Sequence, residues 1–438
     1  MRSALPLSLA ALALSACTGS GSDDVFAGFG PNPDLPAPIK SPLPQVAFAK
    51  SIGWAEGAAP KAPAGFKVTK FAAGLDHPRW MLVLPNGDVL VSQSSTEPKP
   101  AKGIRGIAAE LIQKSAGALK PSPNSIILLR DADGDGVAEL RTTFATGLSQ
   151  PFGMALAGET LYVANSDSIV TYGYKTGQTS VSGPGKKVFD LPGGPINHHW
   201  TKNIILSKDG TRLYATVGSN SNVGENGMAA EAERASILVF PLTGGSTGKV
   251  FASGLRNPNG MDFEPRTGAL WTAVNERDEI GPDLVPDYMT SVTKGGFYGW
   301  PYSYYGQTVD DRVQPQRPDL VAKAIKPDYA LGPHTASLGL AFYKADAFPE
   351  KYHGGVFVGQ HGSWNRKPLN GYRVVFVPFT DGKPTGSPEV FLGGFLNDKG
   401  EAQGRPVGVA VDQTGALLVA DDAGNAVWRV AGPARPVS

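Results

Sequence analysis

The chain has 438 residues, of which 41% are hydrophobic, so it is long enough to bury a large core. Its 55 glycines and 37 prolines favour many short strands joined by turns over a bundle of long helices. The formal net charge of +1 provides no overall positive field, which argues against a protein that binds nucleic acid.

The first residues have the pattern of a secretory signal. Arg2 supplies a positive charge, and residues 5–14 form an apolar run that is too short to span a bilayer. The sequence LSAC that follows resembles a lipobox, so we predict that residues 1–16 are removed and that Cys17 becomes a lipidated N-terminus. The alternative is an ordinary signal peptide with an incidental cysteine, but Cys17 is the only cysteine in the chain.

A lipidated Cys17 predicts an exported protein that is attached to the cell envelope and, in a Gram-negative host, faces the periplasm. Thr18 stands where an aspartate would mark retention in the inner membrane, so the outer membrane is the expected place of attachment. Residues 17–64 are rich in Gly, Ser, Pro and Ala and are interpreted as a flexible tether. No later segment is long and apolar enough to span a bilayer, so we expect contact with the membrane through the lipid alone.

One sequence pattern recurs six times between residues 65 and 432. In each copy a Gly or Pro precedes a short apolar strand, and a turn then leads into a second strand rich in Leu, Val and Tyr. Asn86-Gly87, Asp209-Gly210 and Thr414-Gly415 supply turn residues that tolerate a positive φ. The copies cover residues 77–93, 150–166, 203–219, 257–276, 338–359 and 405–422.

Six repeats at this spacing predict an all-β fold, a six-bladed β-propeller with four-stranded antiparallel blades. A pair of β-sandwiches would not explain why one pattern returns in every segment. The main interruption lies at residues 94–124, where the sequence GIRGIAAELIQKSAGA, residues 103–118, predicts one short amphipathic helix inserted between strands.

Function in a propeller is expected where the loops of the inner strands converge over the channel. His198 and His199 precede the third repeat, and a histidine there could be a general base or could simply bond a backbone carbonyl. Arg256 opens the fourth repeat on a tight turn, where it could hold an anion or form an ordinary surface ion pair. The chain has no HExxH zinc motif, no glycine-rich phosphate loop and no G-x-S-x-G elbow.

A separate acidic loop follows the strand predicted at residues 126–130. Asp131, Asp133 and Asp135 occupy alternate positions, and Gly136 is the sixth residue, as in the first half of an EF-hand. Thr142 stands where an EF-hand has its bidentate glutamate. We predict a structural calcium loop, with an ordinary acidic turn as the alternative.

Five longer motifs, in order, carry a resemblance to a known family. They are GLRNPNGMDF, NERDEIGPDLVPDYM, KGGFYGWP, HGSWNRKPLNGY and GRPVGVAV. Together they resemble the glucose/sorbosone dehydrogenase family, which consists of soluble quinoprotein sugar dehydrogenases on six-bladed propellers. The likeness runs over residues 52–430 and is greatest to the branch of L-sorbosone and fungal pyranose dehydrogenases.

The resemblance implies a cofactor, pyrroloquinoline quinone (PQQ), held with Ca²⁺ over the channel. It implies that His199 is the general base and that Arg256 stabilises the negative charge that develops on the quinone oxygen. Backbone carbonyls of Glu276 and Arg277 are implied as calcium ligands. The implied cofactor-binding residues are Gln150, His198, Asn257, Arg366, Lys367 and Arg405.

Several of these positions depart from the family pattern. His198 stands where the family has an aspartate, and a second arginine of the last blade is replaced by Val407. The family's quinone-binding lysine has no clear counterpart, so either Arg366 or Lys367 is nominated. Glu276-Arg277 replaces the usual Gly-Pro before the calcium site.

The expected reaction is oxidation of an aldose, a pyranose or a sugar aldehyde to a lactone or acid. Electrons would pass to a soluble or membrane acceptor, either a cytochrome or a quinone. Two alternatives stay open at this point, namely a calcium-dependent lactonase-type propeller and a non-catalytic propeller that binds a glycan or an envelope protein.

Overall fold

Each of the six repeats forms the two inner strands of one blade of a propeller. A computed structural model describes residues 21–39, 46–97, 121–243 and 247–433, and its sheets form six antiparallel blades around a channel, which confirms the predicted fold class. The innermost strands of blades 1 to 6 are Pro78–Val83, Met154–Ala157, Ile204–Leu206, Asn257–Phe263, Ser337–Phe342 and Pro406–Val411. The second strands are Val89–Gln93, Thr160–Ala164, Arg212–Val217, Leu270–Asn275, Val356–Gln360 and Leu417–Asp421.

The two outer strands of each blade come from the sequence between repeats. The third strands are Ser125–Arg130, Ser168–Gly173, Ser236–Pro241, Pro286–Ser291, Arg373–Val377 and Ala426–Ala431. The outermost strands are Leu140–Ala145, Lys186–Asp190, Lys249–Ser253, Tyr329–Pro333, Glu389–Leu392 and Lys67–Ala72. The tight turns between inner strands have the expected backbone, since Gly87, Gly210 and Gly415 have φ values of 91°, 66° and 83°.

The ring is closed by strands from both ends of the domain. Lys67–Ala72 precedes blade 1 in the chain but pairs antiparallel with Ala426–Ala431 as the outermost strand of blade 6. The first and last parts of the propeller are therefore held together by backbone hydrogen bonds.

The core consists of apolar clusters that fill the spaces between neighbouring blades. Val358 of blade 5 and Leu418 of blade 6, for example, are both fully buried in such clusters. The second and third strands of a blade are covered on both faces by the adjacent blades, which explains their nearly continuous runs of Val, Leu and Ile.

Strand direction brings distant parts of the chain to one face of the disc. In each antiparallel blade the innermost strand starts on this face and the second strand ends on it, so the flanking loops of all six repeats converge there. We call this face the mouth.

Large side chains close the channel beneath the mouth. Trp80, Phe152, Trp200, Leu338 and Val407, which we call the plug, form one buried cluster contributed by five blades. On the far side of the plug the channel widens into a cavity of about 470 Å³, lined by the later residues of the innermost strands.

The segment before the propeller, predicted as a tether, contacts the domain. Phe29–Gly30 adds a fifth strand to blade 4 by pairing with Tyr329–Pro333. Trp54 packs edge-on against Phe395 and Trp428, with ring centroids 5.4 and 5.1 Å away, and its indole Nε1 donates a 2.6 Å hydrogen bond to Asp421.

Helices are few and short in the described part of the chain. They are the α-helix Pro318–Val321 and the 3₁₀ turns Met228–Glu231 and Glu350–Tyr352, and none has the length or apolar character to cross a membrane. Two small hairpins, Ser303–Tyr304 with Thr308–Val309 and Phe379–Thr380 with Lys383–Pro384, lie outside the blades. The predicted signal sequence, Cys17 and the predicted helix at residues 103–118 lie outside the described residues.

The contacts of Trp54 predict that the N-terminal segment contributes to stability. We expect Trp54→Ala to lower the free energy of unfolding by about 3 kcal/mol, because a large aromatic contact and a hydrogen bond to a buried carboxyl are lost together. Denaturant unfolding of both proteins measures the change. Trp364→Ala is the matched control, since the Trp364 side chain is 40% exposed. Equal midpoints for Trp54→Ala and the parent protein would show that the segment is not docked in solution.

Candidate functional site

His199 lies half-buried at the mouth, just before blade 3, and its ring is oriented by one backbone carbonyl. Its Nδ1 is 2.8 Å from the carbonyl oxygen of Ser219 and 3.0 Å from the hydroxyl of the same residue. A carbonyl oxygen can only accept, so the proton resides on Nδ1 and donates to it. Nε2 is therefore the unprotonated nitrogen, as a general base requires.

The pKa of His199 is lowered well below the ordinary 6.5. Burial of the ring is the main cause, and the positive charge of Arg256 and the neighbouring His198 act in the same direction. The imidazole is consequently neutral at neutral pH. The exposed His198 ring lies perpendicular to it, with centroids 4.7 Å apart.

Ser219 connects His199 to Arg256, which belongs to the next blade. Ser219 follows the second strand of blade 3. Its carbonyl oxygen also accepts from the backbone N–H of His199, and its own backbone N–H donates to the carbonyl of Arg256 over 2.8 Å. The two residues that the sequence nominated for catalysis thus lie on the same face of the disc.

Gly218 permits the close approach of His199 and Asn257. A Cβ atom at this position would lie 2.5 Å from Cβ of His199 and 2.3 Å from Oδ1 of Asn257, closer than any side chain could be accommodated. The absence of a side chain at Gly218 therefore sets the spacing between the histidine and the Arg256-Asn257 pair.

Arg256 is held in place by neighbours on three loops. Its side chain is 3% exposed; its Nη2 donates to Oδ1 of Asn222 over 3.0 Å and lies 3.6 Å from the carboxylate of Asp278. Asp278 also accepts from Nδ1 of His334 over 3.1 Å and from the amide of Asn365 over 2.9 Å. Burial disfavours protonation of His334, but the hydrogen bond and charge of Asp278 outweigh it and raise its pKa.

Two further basic side chains lie beneath His199. Lys202 and Arg234 both donate to the His199 carbonyl oxygen, over 3.2 and 3.1 Å, and are almost completely buried. Neither forms an ion pair within 4.0 Å with a carboxylate among the described residues. Burial lowers the pKa of both groups, most strongly for Lys202. Arg234 therefore adds positive charge near His199, in the same direction as Arg256.

Gln150 and Arg405 occupy other parts of the mouth. Gln150 precedes blade 2, and its amide donates to the Ser95 carbonyl over 2.9 Å. Arg405 precedes blade 6; its Nη2 donates to the Tyr372 hydroxyl over 2.8 Å, and its guanidinium lies 5.0 Å from the centroid of that ring.

Arg366 and Lys367 lie on the mouth side of blade 5, near its rim. The Arg366 guanidinium is 2% exposed and is fully engaged by Asp283 and by the carbonyls of Ser22, Pro282 and Pro368. Lys367 is exposed, and its carbonyl accepts the N–H of Gly21 over 2.6 Å. Arg366 thus fastens the N-terminal segment, and only Lys367 has a side chain exposed to solvent.

Glu276 and Arg277 follow the second strand of blade 4, at the mouth. Their side chains form a buried ion pair of 2.9 Å that continues to Asp310, while the Glu276 carbonyl accepts a 2.6 Å hydrogen bond from Nη1 of Arg256. One of the two carbonyls implied for calcium is therefore already bonded to a buried cation. A Ca²⁺ ion at that oxygen would be repelled by Arg256, so the residues here do not fit the implied calcium site.

The acidic loop lies on the opposite face, because it follows the end of the third strand of blade 1. Carboxylate oxygens of Asp131, Asp133, Asp135 and Glu139 lie within 4.8 Å of one another. Asp131 also accepts from the backbone N–H groups of Gly134 and Gly136, as in an ordinary turn. A calcium ion in this loop stays a prediction, and it would be remote from His199.

Sequence reasoning missed several residues of the mouth. Five of the six histidines are there: His77, His198, His199, His334 and His361. His77 directly precedes an innermost strand, His361 directly follows a second strand, and His334 lies in the loop that leads to the innermost strand of blade 5. A position in a loop beside these strands was the available signal. The sixth, His353, bonds the Phe348 carbonyl in a 3₁₀ turn away from the mouth.

Comparisons with known proteins agree with this fold. The chain is 27% identical to the pyrroloquinoline quinone-dependent pyranose dehydrogenase of Coprinopsis cinerea over 223 residues, which is 41% of this chain and 30% of that protein. It is 30% identical to an aldose sugar dehydrogenase of Escherichia coli K12 over 121 residues, covering 27% of this chain and 31% of the other. The chain thus spans about a third of the length of these two relatives.

Among solved structures, the holo PQQ domain of the Coprinopsis cinerea pyranose dehydrogenase superposes with a TM-score of 0.68 at 20% identity, over 85% of this chain and 97% of that one. A family AA12 enzyme of Trichoderma reesei superposes with a TM-score of 0.69 at 18% identity, over 85% and 97%. These likenesses establish the propeller. A family model described as TrAA12-like matches residues 60–289 and 309–432, most of the chain, so this protein belongs to the TrAA12-like family and the resemblance seen in its motifs is confirmed.

Proposed function

We propose that this protein is a PQQ-dependent dehydrogenase that oxidises an aldose, a pyranose or a sugar aldehyde to a lactone or acid. The observation that carries the proposal is the fixed tautomer of His199, whose unprotonated Nε2 lies at the mouth beside a buried Arg256. The names of the relatives, a pyranose and an aldose sugar dehydrogenase, support the choice of substrate class.

The residues of the mouth fit an anionic quinone. Asn257 Oδ1 and Arg405 Nε are buried, and neither has a hydrogen-bond partner within the described chain. Unpaired buried polar atoms are costly, so Arg405 Nε calls for an acceptor on a ligand and Asn257 Oδ1 for a donor. Arg256, Asn257 and Arg405, with Gln150 before blade 2, would hold the quinone and its carboxylates. PQQ, when bound, supplies an acceptor for two electrons.

The chain's own residues accept the proton, stabilise the developing charge and close the channel. His199 Nε2 accepts the proton of the sugar hydroxyl whose carbon is oxidised. The buried guanidinium of Arg256 stabilises negative charge that grows beside it during the reaction. The plug closes the channel below and restricts access to the mouth side. The Glu276 carbonyl already accepts a hydrogen bond from Arg256, so this proposal does not include a calcium ion at the mouth.

The lactonase alternative finds little support at the mouth. Within the described ranges, the only group of three or more acidic or histidine ligands close enough to share an ion is the loop of Asp131, Asp133, Asp135 and Glu139 on the opposite face. A bare metal over the channel would need such a group near His199. A binding-only propeller would not need an oriented, low-pKa histidine.

We also infer that the protein is exported and held to a membrane through lipid on Cys17, with a cytochrome or a quinone as its electron acceptor. The support is the lipobox-like sequence and the position of Gly21, which is hydrogen-bonded to Lys367 on the mouth side of blade 5. An anchor there would place the mouth near the membrane that holds the acceptor.

Reconstitution tests the proposal directly. Adding PQQ to the apo-protein should shift the quinone absorption and allow an aldose to reduce a dye. His199→Ala should keep PQQ binding but lower kcat by about 100-fold or more, since a general base contributes at least that much. His353→Ala, far from the mouth, should match the parent. A His199→Ala protein that turns over at the parental rate would end the proposal.

The lowered pKa of His199 predicts that activity persists to a lower pH than an ordinary histidine base would allow. The neutral imidazole is the active form, so kcat/KM should fall only as the pH drops below 6.5 and His199 becomes protonated. NMR titration of the His199 ring in the apo-protein measures the same pKa without any substrate. Arg256→Gln should raise the midpoint pH of the His199 titration, because one of the positive charges that disfavour protonation of the ring is removed. A midpoint at or above 6.5 in the parent contradicts this assignment.

Gly218→Ala should disturb the site without unfolding the blade. The new Cβ would push His199 and Asn257 apart, so we expect the Kd for PQQ to rise and kcat to fall, each by about tenfold or more, because a displacement of about 1 Å at a reacting centre is that damaging. Gly173→Ala is the matched control, since a Cβ there meets no atom within 4 Å. Equal effects of the two substitutions would show that Gly218 does not set the spacing.

A further inference from the structure

The loop that carries His199 has little apolar packing of its own. It connects the outermost strand of blade 2, which ends at Asp190, with the innermost strand of blade 3, which begins at Ile204. Between the buried residues Leu191 and Trp200 it forms neither a helix nor a strand, and no residue there is buried. Polar contacts must therefore fix the position of His199 within this stretch.

Arg234 donates to both ends of this loop. It is buried and lies between the second and third strands of blade 3. Its Nη1 donates to the backbone oxygens of Pro192 and Gly193, over 2.8 and 3.4 Å. Its Nη2 donates to Oδ1 of Asn197 and to the carbonyl of His199, both over 3.1 Å. One planar group thus joins the start of the loop to the proposed base.

The last N–H of Arg234 connects the loop to the sheet. Its Nε donates over 2.9 Å to the carbonyl of Gly218, which follows the second strand of blade 3. Every N–H of the guanidinium is therefore paired, and none is left for a ligand. A lysine carries its N–H groups on one nitrogen and could not reach all of these acceptors.

Glu231 binds the segment that faces His199. It is buried at the end of the 3₁₀ turn Met228–Glu231. Its Oε2 accepts from the backbone N–H of Asn220 over 2.8 Å, and its Oε1 accepts from the hydroxyl of Ser221. Both carboxyl oxygens are thus paired with the residues that directly follow Ser219.

These contacts continue to His199 and to the residue before it. Oδ1 of Asn220 accepts from the backbone N–H of His198 over 3.2 Å. The hydroxyl of Ser219, which lies 3.0 Å from Nδ1 of His199, donates to the Ser221 carbonyl over 2.6 Å. The ring of the proposed base and the backbone before it are both supported by residues that the buried carboxyl group binds.

We propose that Arg234 and Glu231 are positioning residues that hold His199 at the mouth with its proton on Nδ1. Neither was nominated from the sequence, and both act through the backbone and neighbours of His199 rather than on a ligand. The inference rests on the proposed function, because His199 is the base of that reaction. The state of the ring, however, can be measured without cofactor or substrate.

NMR of the histidine ring nitrogens in the apo-protein measures the positioning directly. The parent should show His199 protonated at Nδ1 alone, and the spectrum of His199→Ala identifies its signals. Arg234→Gln and Glu231→Gln should each give a mixture in which Nε2 is also protonated, because Nδ1 is no longer held against the Ser219 carbonyl. Arg234→Lys should give an intermediate result, because it keeps the charge and can reach some of the acceptors.

Turnover with PQQ and an aldose provides a second measurement. Arg234→Gln should lower kcat by about tenfold or more, because a displacement of about 1 Å at a reacting centre is that damaging. The Kd for PQQ should change much less, since no N–H of Arg234 is left for a ligand. Arg234→Lys should recover part of the lost kcat.

Arg373→Gln is the matched control. Arg373 is also a buried arginine, but it lies in the third strand of blade 5 and donates to Gln360 and Asn370. Its loss should lower stability without changing the tautomer of His199 or kcat. The unfolding midpoint of each variant is measured in parallel, and if Arg234→Gln does not fold, Arg234→Lys and Glu231→Gln decide.

The outcomes separate this inference from the proposed function. Folded Arg234→Gln and Glu231→Gln proteins with the parental tautomer and the parental kcat overturn the positioning role and leave the proposed function standing. An equal change of the His199 tautomer in Arg373→Gln also overturns it, because the effect would then reflect a general loss of stability. A parent that does not bind PQQ overturns the proposed function, and the tautomer in the apo-protein still decides on the positioning.

Discussion

The backbone of Ser219 is the link on which the geometry of the mouth depends. It accepts from the Nδ1–H of His199 on one side and donates to the carbonyl of Arg256 on the other. One residue thereby fixes the tautomer of a histidine in blade 3 and its position relative to an arginine at the start of blade 4. A hydroxyl or amide side chain could rotate away, whereas a backbone carbonyl at a strand end is held by the sheet itself.

Charge is distributed around this link in a consistent way. Arg256, Lys202 and Arg234 surround His199, and Arg79 and Arg405 lie on another part of the same mouth. Asp278 and Asp422 each balance part of this charge. Burial is the main reason that His199 stays neutral, and the positive charge of Arg256 acts in the same direction; that charge also favours an anionic ligand at the mouth.

These charged groups lie in loops, outside the apolar core of the propeller. Apolar clusters between blades hold the disc together, while the mouth is built from loops that contribute little to those clusters. The N-terminal segment adds to this frame, because Arg366 and Trp54 fasten it to blades 5 and 6. Residues in the loops can therefore change while the propeller is retained.

The sequence by itself determined the propeller and part of the site. Six copies of one strand pattern predicted the inner hairpins nearly residue by residue, because strand periodicity and turn glycines are local properties of the chain. The repeat pattern and the family resemblance nominated His199, Arg256 and Arg405, and these lie at the mouth. Only the tertiary structure decided that Arg366 fastens the N-terminal segment, that Arg256 occupies the Glu276 carbonyl, and that Arg234 donates to the loop that carries His199. Those facts depend on which side chains meet across blades, and residues tens to hundreds of positions apart leave no local signal of such contacts.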